Sequence, residues 1–342
     1  MKAFVLAAGA GTRLRPLTYA IPKPMVPVVN KPVLEHTVEN LAHHGFTSIV
    51  MNLHAYPGTI KNHFGVGERH GLKIRYSLEK VLMGTAGGVK KVESFFDDTF
   101  VVMSGDGLTD IDLTKAIAFH KSKKALATMV LKPVDTKFDY GVTLTDLDGR
   151  IKRFIEKPRW SDVFASTVNT GIYIFEPEIF RYIPARTFYD FGSQLWPDLL
   201  SRRKRIFGYV MEEYWTDVGN LAEYKKGVRD ALDRHIKVHI PGEQVKPGIW
   251  VGRGTRIAPG VRLDAPCVIG NACSIGKNAI IGKYTTIADG ARIGEKAEIY
   301  NSILWERVVV SKNVHLDNCI IGNAAKVSAD ISVFEGAVLD VD

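Results

Sequence analysis

The sequence predicts an α/β domain with a mixed, mostly parallel sheet, followed by a parallel β-helix. Two observations predict this architecture. Short apolar runs alternate with amphipathic segments up to about residue 240, and a six-residue period replaces that alternation after Pro241-Gly242. A chain of 342 residues is also longer than one ordinary core requires. We therefore expect two domains, at residues 1–240 and 241–342.

The first half contains the strand and helix patterns of a layered α/β domain. Gly45 follows the first predicted helix, at a place where a left-handed residue commonly ends a helix. Short apolar runs predict strands at Ala3–Ala8, Ile49–Leu53, Ile74–Ser77, Phe100–Met103, Ala127–Leu131 and Ile172–Phe175. Amphipathic periodicity predicts helices at Val33–His44, Leu113–Ser122, Phe191–Arg202 and Leu221–Asp233.

An aliphatic or aromatic residue recurs at every sixth position beyond Pro241. Such a period matches one side of a triangular coil whose anchor residues point inward. The phase breaks near Val310, which predicts an inserted loop or an irregular coil there. Cys267 and Cys273 stand four positions after an anchor, in a slot for small residues, and we expect them to be inert core thiols. The anchors are Val251, Ile257, Leu263, Ile269, Ile275, Ile281, Ile287, Ile293, Ile299 and Trp305.

Composition and charge exclude several classes of protein. Lys and Arg number 45 against 37 Asp and Glu, and the net charge of +8 suits anionic partners such as phosphorylated metabolites. The basic run Arg202–Arg205 ends a helical pattern and lacks interleaved aromatics, so we expect no nucleic-acid partner. With no apolar run near 18 residues and no signal peptide, we expect a cytoplasmic protein without a membrane partner. Three cysteines without ligand spacing indicate reduced thiols and no zinc site.

A glycine-rich turn follows the first strand and reads Gly9-Ala10-Gly11-Thr12-Arg13-Leu14-Arg15-Pro16-Leu17-Thr18. Glycines in this place let backbone N–H groups converge on phosphate oxygens. The turn lacks the Gly-Lys-Ser/Thr ending of a P-loop, and Leu14 replaces the third glycine of a dinucleotide fingerprint. It continues into Pro22-Lys23-Pro24-Met25, which adds a second cation, Lys23, near the same turn.

These two segments resemble the signature of the sugar-1-phosphate nucleotidylyltransferases. The tail is similar to the left-handed β-helix of the long members of that family, so the resemblance covers nearly the whole chain and is closest to the mannose-1-phosphate guanylyltransferases. It implies a Rossmann-like nucleotidyltransferase domain that transfers a nucleotidyl group from an NTP to a sugar-1-phosphate and releases pyrophosphate. No motif is broken, which argues against a non-catalytic regulatory subunit.

The resemblance also implies the residues of the site. Catalysis falls to Arg13, Lys23 and Asp106, and a Mg²⁺ cofactor to Asp106 and Asp217. The implied nucleotide-binding residues are Ala8, Gly9, Gly11, Thr12, Arg13, Glu79, Gly84, Thr85 and Ala86. The residues implied for the sugar and its phosphate are Tyr140, Gly141, Glu156, Lys157 and Asn169, with Pro158 as a rigid turn.

The chemistry of the reaction suits these residue types. Attacking and leaving groups both carry negative charge, so we expect electrostatics and in-line positioning to dominate. The guanidinium fork of Arg13 and the ammonium of Lys23 match phosphate. Two hard carboxylates, Asp106 and Asp217, suit Mg²⁺. The nearby Asp110 is instead expected to begin the next helix.

Glu79 bears on the choice of nucleotide. Ionised glutamate only accepts hydrogen bonds, and the Watson–Crick edge of guanine offers two adjacent donors. Uracil and thymine place one donor between two acceptors, which an amide matches better. The sequence therefore favours GTP, with mannose-1-phosphate as the companion substrate. A Glu79 that points to solvent would leave synthesis of UDP- or dTDP-glucose open.

The tail carries two further expectations. Flat coil faces and exposed coil ends need covering, so we expect a homo-oligomer, either a dimer or a tetramer. Trp250, Trp305 and Phe334 are candidate subunit contacts or core residues. Hexapeptide β-helices also occur in acyltransferases, which would make the chain bifunctional. This alternative is disfavoured because His315, at the phase break, has no evident partner in the sequence.

Overall fold

The computed structural model describes residues 1–9, 11–134, 140–157 and 167–338. These residues form two compact units. The first comprises the described parts of Met1–Ala10, Pro22–Met25 and Leu34–Asp217, and the second those of Gly11–Ile21, Val26–Val33 and Val218–Asp342. Most of the glycine-rich turn and the segment after Met25 therefore group with the C-terminal residues. The domain boundary expected after residue 240 stays a prediction.

Strands and helices alternate along the chain as far as Asp217. The strands are β1 (Lys2–Leu6), β2 (Pro27–Val28), β3 (Lys31–Pro32), β4 (Ser48–Leu53), β5 (Lys73–Leu78), β6 (Phe100–Ser104), β7 (Gly107–Thr109), β8 (Ala127–Pro133), β9 (Val142–Thr145), β10 (Ile151–Ile155), β11 (Thr167–Phe175), β12 (Ile206–Val210) and β13 (Trp215–Asp217). The helices are α1 (Val33–His43), α2 (Pro57–Phe64), α3 (Gly84–Lys90), α4 (Leu113–Ser122), α5 (Trp196–Ser201) and, in the second unit, α6 (Leu221–Leu232).

One mixed sheet organises the first unit, and nine strands of the described residues join it. The strands β6, β1, β4 and β5 are neighbours in that order and all run parallel. Seven of the nine strands run in one direction, and β10 and β11 run against them. Alternate residues of β1 enter hydrophobic clusters on the two faces of the sheet, Val5 on one and Phe4 on the other. The prediction of an α/β domain with a mostly parallel sheet is confirmed.

Most of the predicted elements are present with small changes at their ends. The predicted helix Phe191–Arg202 instead begins with a π-helical turn at Phe191–Leu195 and continues as α5. Gly45 adopts a φ of 75°, as expected of a residue that ends a helix. The expectation for Asp110 is wrong. The side chain of Asp112 caps α4 by accepting from the Lys115 N–H (3.0 Å), and Asp110 Oδ1 accepts from the Tyr214 N–H (2.9 Å).

The second unit contains a three-sided parallel β-helix, which confirms the interpretation of the six-residue period. Its interior is an aliphatic cluster that includes Ile269, Ile287 and Leu316. The strands are β14 (Glu243–Lys246), β15 (Ile249–Val251), β16 (Arg256–Ile257), β17 (Arg262–Leu263), β18 (Cys267–Ile269), β19 (Ser274–Ile275), β20 (Ile280–Ile281), β21 (Thr285–Ile287), β22 (Arg292–Ile293), β23 (Glu298–Tyr300), β24 (Ile303–Leu304), β25 (Val309–Val310), β26 (His315–Ile321), β27 (Lys326–Val327) and β28 (Ser332–Val338).

The coils of the β-helix shorten by one residue part of the way along. Ile269 pairs with Ile287, eighteen positions on, whereas Ile287 pairs with Leu304, seventeen positions on. The inward place after Ile299 therefore belongs to Leu304, and the prediction that Trp305 is an inward anchor is wrong. The predicted irregularity near Val310 is also wrong, because Val310 pairs regularly within its row. One side of the coil has lost a residue, and this moves the phase of everything that follows.

The cysteines and two of the tryptophans of the second unit are buried. Cys267, Cys273 and Cys319 are unpaired and lie in the interior of the β-helix, as predicted for the first two. Burial raises the pKa of all three thiols, that of Cys267 to about 12. Trp250 and Trp305 are buried within the chain, whereas Phe334 is 66% exposed. Within the described ranges, the structure has no helix whose length and apolarity would let it cross a membrane.

Candidate active site

Polar groups gather at the carboxyl-terminal edge of the parallel strands in the first unit. Asn52 lies at the end of β4, Glu79 directly follows β5, and Ser104 ends β6. Because β4, β1 and β6 are in register, Asn52 and Ser104 both pair with Leu6, the last residue of β1. In open α/β sheets this edge is where ligands usually bind. The first strand and its two neighbours thus place one amide and one hydroxyl beside the start of the glycine-rich turn.

Three residues that the sequence analysis assigned to catalysis and metal binding meet in one cluster. Lys23 Nζ lies 2.5 Å from Asp106 Oδ2 and 2.8 Å from Asp217 Oδ1. The Lys23 side chain is 8% exposed, and the two carboxylates are partly exposed. Pairing of β13 with β7 brings Asp217 opposite Gly107, which explains why it lies beside Asp106. Distant parts of the sequence therefore supply one ammonium and two carboxylates to a single place.

The charges of this cluster support one another. Burial would lower the pKa of Lys23, but Asp106 and Asp217 outweigh it and raise that pKa. Burial would likewise raise the pKa of Asp106, but the charge and hydrogen bond of Lys23 outweigh it and lower that pKa. Ser104 Oγ donates a hydrogen bond to the other oxygen of Asp106. Two carboxylates that already share one cation are the oxygen donors that Mg²⁺ prefers, so these residues fit the ion that the sequence implies.

Glu79 is buried and held on both sides. Its side chain is within a residue that is 2% exposed, so the alternative in which it points to solvent is wrong. Glu79 Oε1 accepts from Asn52 Nδ2 (2.9 Å), and Oε2 accepts from the Met83 N–H (3.0 Å). Asn52 Oδ1 in turn accepts from the Ala7 N–H (2.8 Å). A chain of hydrogen bonds therefore links the end of the first strand to Glu79.

The segment Gly84–Ala86 begins α3 and packs against Tyr189 and Asp190. Thr85 Oγ1 donates to Asp190 Oδ2 (2.8 Å), and the Ala86 N–H donates to the Tyr189 carbonyl (3.0 Å). Gly84 has a φ of 74°, and an added Cβ would lie 2.5 Å from the Tyr189 oxygen, so this position requires glycine. The Thr85 hydroxyl and Ala86 amide that the sequence analysis assigned to the nucleotide thus have partners within the protein.

Four of the residues implied for the sugar and its phosphate lie near the ends of β9, β10 and β11. A Cβ added to Gly141 would lie 2.8 Å from Glu156 Oε2, so glycine makes room for that carboxylate. The Asn169 N–H donates to the Gly141 carbonyl (2.7 Å), and Asn169 Nδ2 donates to the Tyr173 hydroxyl (2.9 Å). Lys157 is exposed, with a φ of 44°. The structure brings Gly141, Glu156 and Asn169 together, and Pro158 lies outside the described residues.

Two groups near this part of the site escaped the sequence analysis. Burial and then the charge of Asp190 raise the pKa of Glu156. The Tyr140 ring packs edge-on against Trp215, with ring centres 5.2 Å apart. No pattern in the sequence pointed to Asp190. Asn52 did leave a signal, because it is an amide at the end of an otherwise apolar strand.

The glycine-rich turn is closed by its own hydrogen bonds. Gly11 has a φ of 62°, and its carbonyl accepts from the Leu14 N–H (3.1 Å) and Thr18 Oγ1 (2.7 Å). Thr12 and Arg13 are exposed on this turn. The residues before it differ from one another, since Ala8 is buried and Gly9 is exposed. Ala10 lies outside the described residues, and the nucleotide role of the turn stays a prediction.

His315 has partners that its sequence position did not reveal. Its Nδ1 lies 3.4 Å from Glu298 Oε2, and its ring lies between those of Tyr300 and Phe334. The expectation that His315 lacks a partner is therefore wrong. An acyltransferase activity of the β-helix is neither required nor supplied by this contact, because a base also needs a substrate groove.

Comparisons with known proteins agree with the motifs and the fold. The family model described as Nucleotidyl transferase matches residues 2–234, and that described as GMPPB C-terminal domain matches residues 264–342. A UTP–glucose-1-phosphate uridylyltransferase of Synechocystis is 43% identical over 74% of this chain and 69% of its own length. A mannose-1-phosphate guanyltransferase of Eremothecium gossypii is 35% identical over 99% of this chain and 96% of its own length. A crystal structure of a putative glucose-1-phosphate thymidylyltransferase from Bacillus anthracis covers 70% of this chain and 97% of its own, with 26% identity and a TM-score of 0.63.

Proposed function

This chain belongs to the nucleotidyl transferase family as a sugar-1-phosphate nucleotidylyltransferase, and we propose that its substrates are GTP and mannose-1-phosphate. In the reaction an oxygen of the sugar-1-phosphate attacks the α-phosphorus of the nucleotide. The bond from that phosphorus to the bridging oxygen of pyrophosphate breaks, and an NDP-sugar forms. The reaction needs little proton transfer, so positioning and charge carry most of the catalysis.

The observation that supports GTP is the direction of the hydrogen bonds around Glu79. The Ala7 N–H can only donate, so Asn52 turns its oxygen toward Ala7 and its NH₂ group toward Glu79. The Met83 N–H also only donates. Both oxygens of Glu79 are therefore acceptors. A glutamine here would turn its own NH₂ group toward one of these two donors, so the surroundings fit an acid better than an amide.

An acceptor-only side chain matches the edge of guanine. Each oxygen of Glu79 keeps a second site for a hydrogen bond, and guanine offers two adjacent donors. The exposed residues Lys80–Leu82 lead from Glu79 to Met83, and the base reaches the buried carboxylate when they move aside. Loop movement of this kind is common where a nucleotide is enclosed.

The charged residues have distinct proposed roles. Asp106 and Asp217 hold Mg²⁺, which when bound would neutralise phosphate charge and polarise the α-phosphorus. Lys23 and Arg13 add fixed positive charge toward the phosphates. Glu156 accepts hydrogen bonds from sugar hydroxyls, and the Gly141 backbone lets the sugar approach closely. We expect these parts to act in a homo-oligomer in the cytoplasm.

A second candidate is the pair UTP and glucose-1-phosphate. It is favoured by the 43% identity to the Synechocystis uridylyltransferase, which is higher than the 35% identity to the Eremothecium guanyltransferase. Uracil could use one oxygen of Glu79 for its single donor. Its two carbonyl groups would then have to find donors elsewhere in the site.

A matrix of nucleotides and sugar phosphates tests both candidates. Pyrophosphate release would be measured with GTP, UTP, dTTP and ATP against mannose-1-phosphate and glucose-1-phosphate, each with Mg²⁺. We expect kcat/KM for GTP with mannose-1-phosphate to exceed every other pair by about tenfold or more. A higher value for UTP with glucose-1-phosphate would replace the proposal with the second candidate. Absence of release with every pair would overturn both.

A further inference from the structure

A short hairpin follows Met25 and belongs to the second unit. The strands β2 and β3 form it, with Val29 and Asn30 at its tip. Both tip residues are left-handed, with φ values of 44° and 64°. This conformation is costly for a β-branched residue, and it persists where the surroundings fix it. Val29 is fully buried, so packing within the second unit holds the hairpin.

Two buried side chains connect this hairpin to the β-helix. Tyr224 of α6 donates its hydroxyl to the Pro27 carbonyl (2.6 Å), and Trp305 Nε1 donates to the Tyr224 hydroxyl (3.0 Å). An indole N–H only donates and a carbonyl only accepts, so the direction of this chain of bonds is fixed. Tyr224 is 0% exposed and Trp305 3%. Loss of either hydrogen bond would leave a polar atom without a partner in a place that water does not reach.

The irregularity of the β-helix explains how Trp305 comes to take part. The shortened side after Ile299 gives the inward place to Leu304, and the next residue then lies outside the interior cluster. From there Trp305 meets α6. A second contact supports the tip of the hairpin, where Asn30 Nδ2 donates to the Ile287 carbonyl (2.7 Å). The β-helix thus holds the hairpin at its base and at its tip.

We propose that Tyr224 and Trp305 are positioning residues that keep Lys23 in its reactive place through the hairpin. The proposal rests on the function proposed above for Lys23. It gives the β-helix a part in catalysis, beyond the roles in stability and assembly that its sequence suggests. Neither residue touches a substrate in this account.

The connection from the hairpin to Lys23 is short and stiff. Lys23–Met25 forms a tight 3₁₀ turn in which the Met25 N–H donates to the Pro22 carbonyl (2.9 Å). Pro24 and Pro27 fix their own φ angles, which removes freedom from the four peptide bonds between Lys23 and Pro27. A shift of the Pro27 carbonyl therefore passes along the backbone to Lys23.

The test compares Tyr224→Phe and Trp305→Phe with a matched control, Thr255→Val. The Thr255 hydroxyl also accepts one hydrogen bond, from the Cys273 N–H, and donates one, to the Gly270 carbonyl, but it lies within the coils. For each full-length protein we would measure kcat, KM, the thermal midpoint, and hydrogen exchange of the amides in residues 28–33. An error of 1 Å in position can cost a hundredfold in rate, so a smaller displacement is expected to cost about tenfold.

We expect both test variants to lower kcat about tenfold with KM within about twofold, and to speed exchange in the hairpin. Thr255→Val should lower the thermal midpoint to a similar extent and keep the wild-type kcat. The proposal is overturned if kcat is unchanged in the test variants, or if it falls equally in the control. If the wild-type protein transfers no nucleotide, the proposed function fails instead, and unchanged hairpin exchange in both test variants would then overturn the structural connection separately.

Discussion

Lys23 Nζ lies 2.8 Å from Asp217 Oδ1, and the same ammonium contacts Asp106 on its other side. One buried cation therefore holds together two carboxylates that would otherwise repel each other. This arrangement keeps both acids ionised and close, as metal binding requires. It also makes each of the three residues sensitive to the loss of the others.

The first prediction concerns the metal. Asp106→Asn and Asp217→Asn each remove a charged oxygen ligand, so pyrophosphate release with Mg²⁺ should fall by about a hundredfold or more. Steady-state assays over a range of Mg²⁺ concentrations would measure this. Asp112→Asn, at the exposed cap of α4, is the control and should keep its activity. Near-normal turnover in both site variants would remove these carboxylates from the metal site.

The second prediction concerns pH and stability. The raised pKa of Lys23 and the lowered pKa of Asp106 mean that their pairing stabilises the fold across the neutral range. Its contribution should be lost as the pH falls below 3.8 through the lowered pKa of Asp106, and as it rises above 10.5 through the raised pKa of Lys23. Urea unfolding of the wild type and Lys23→Met at several pH values would show the difference. A difference independent of pH at both extremes would contradict the assignment.

The third prediction concerns the glycine-rich turn. Arg13→Ala should reduce kcat far more than it raises KM, because the guanidinium acts mainly on charge that develops at the reacting phosphates. Arg13→Lys keeps the charge but loses the planar fork, so it should recover only part of the rate. Initial rates with varied nucleotide would separate the two constants. A change confined to KM would reassign Arg13 to binding of the ground state.

The fourth prediction concerns the base. Glu79→Gln should lower the ratio of kcat/KM for GTP to that for UTP by about tenfold, because it replaces an acceptor with a donor. Asn52→Leu should move the ratio in the same direction, since it frees Glu79 from the bond that orients it. Asn62→Ala, on the exposed face of α2, is the control. An unchanged ratio in both site variants would mean that the base is selected elsewhere.

Local pattern was sufficient for much of this structure. Apolar runs located β1 and β6, and the motif after β6 located Asp106, because a buried parallel strand and the polar residue at its end are both local features. The same reasoning failed at Trp305, since loss of one residue from a coil side is visible only when the strands are paired. It also preferred Asp110 to Asp112 as a helix cap, although both stand before α4.

Contacts between distant residues could not be derived from the sequence. The bond between Asn52 and Glu79 depends on the register of β4 with β5, and the approach of Asp217 to Asp106 depends on the pairing of β13 with β7. The glycine-rich helix α3 was not predicted, because glycine disfavours helices and its packing against Tyr189 supplies the compensation. Propensity and spacing say little about such tertiary compensation.

The placement of the cysteines makes the β-helix its own reporter. All three thiols of the chain lie in its interior, and none occurs in the first unit. A thiol is reactive as the thiolate, and burial suppresses that form by raising each pKa. A maleimide added during gradual denaturation would therefore label the chain only as the coils open. The rate of labelling would follow the opening of the tail while tryptophan fluorescence and turnover follow the whole protein, without any engineered probe.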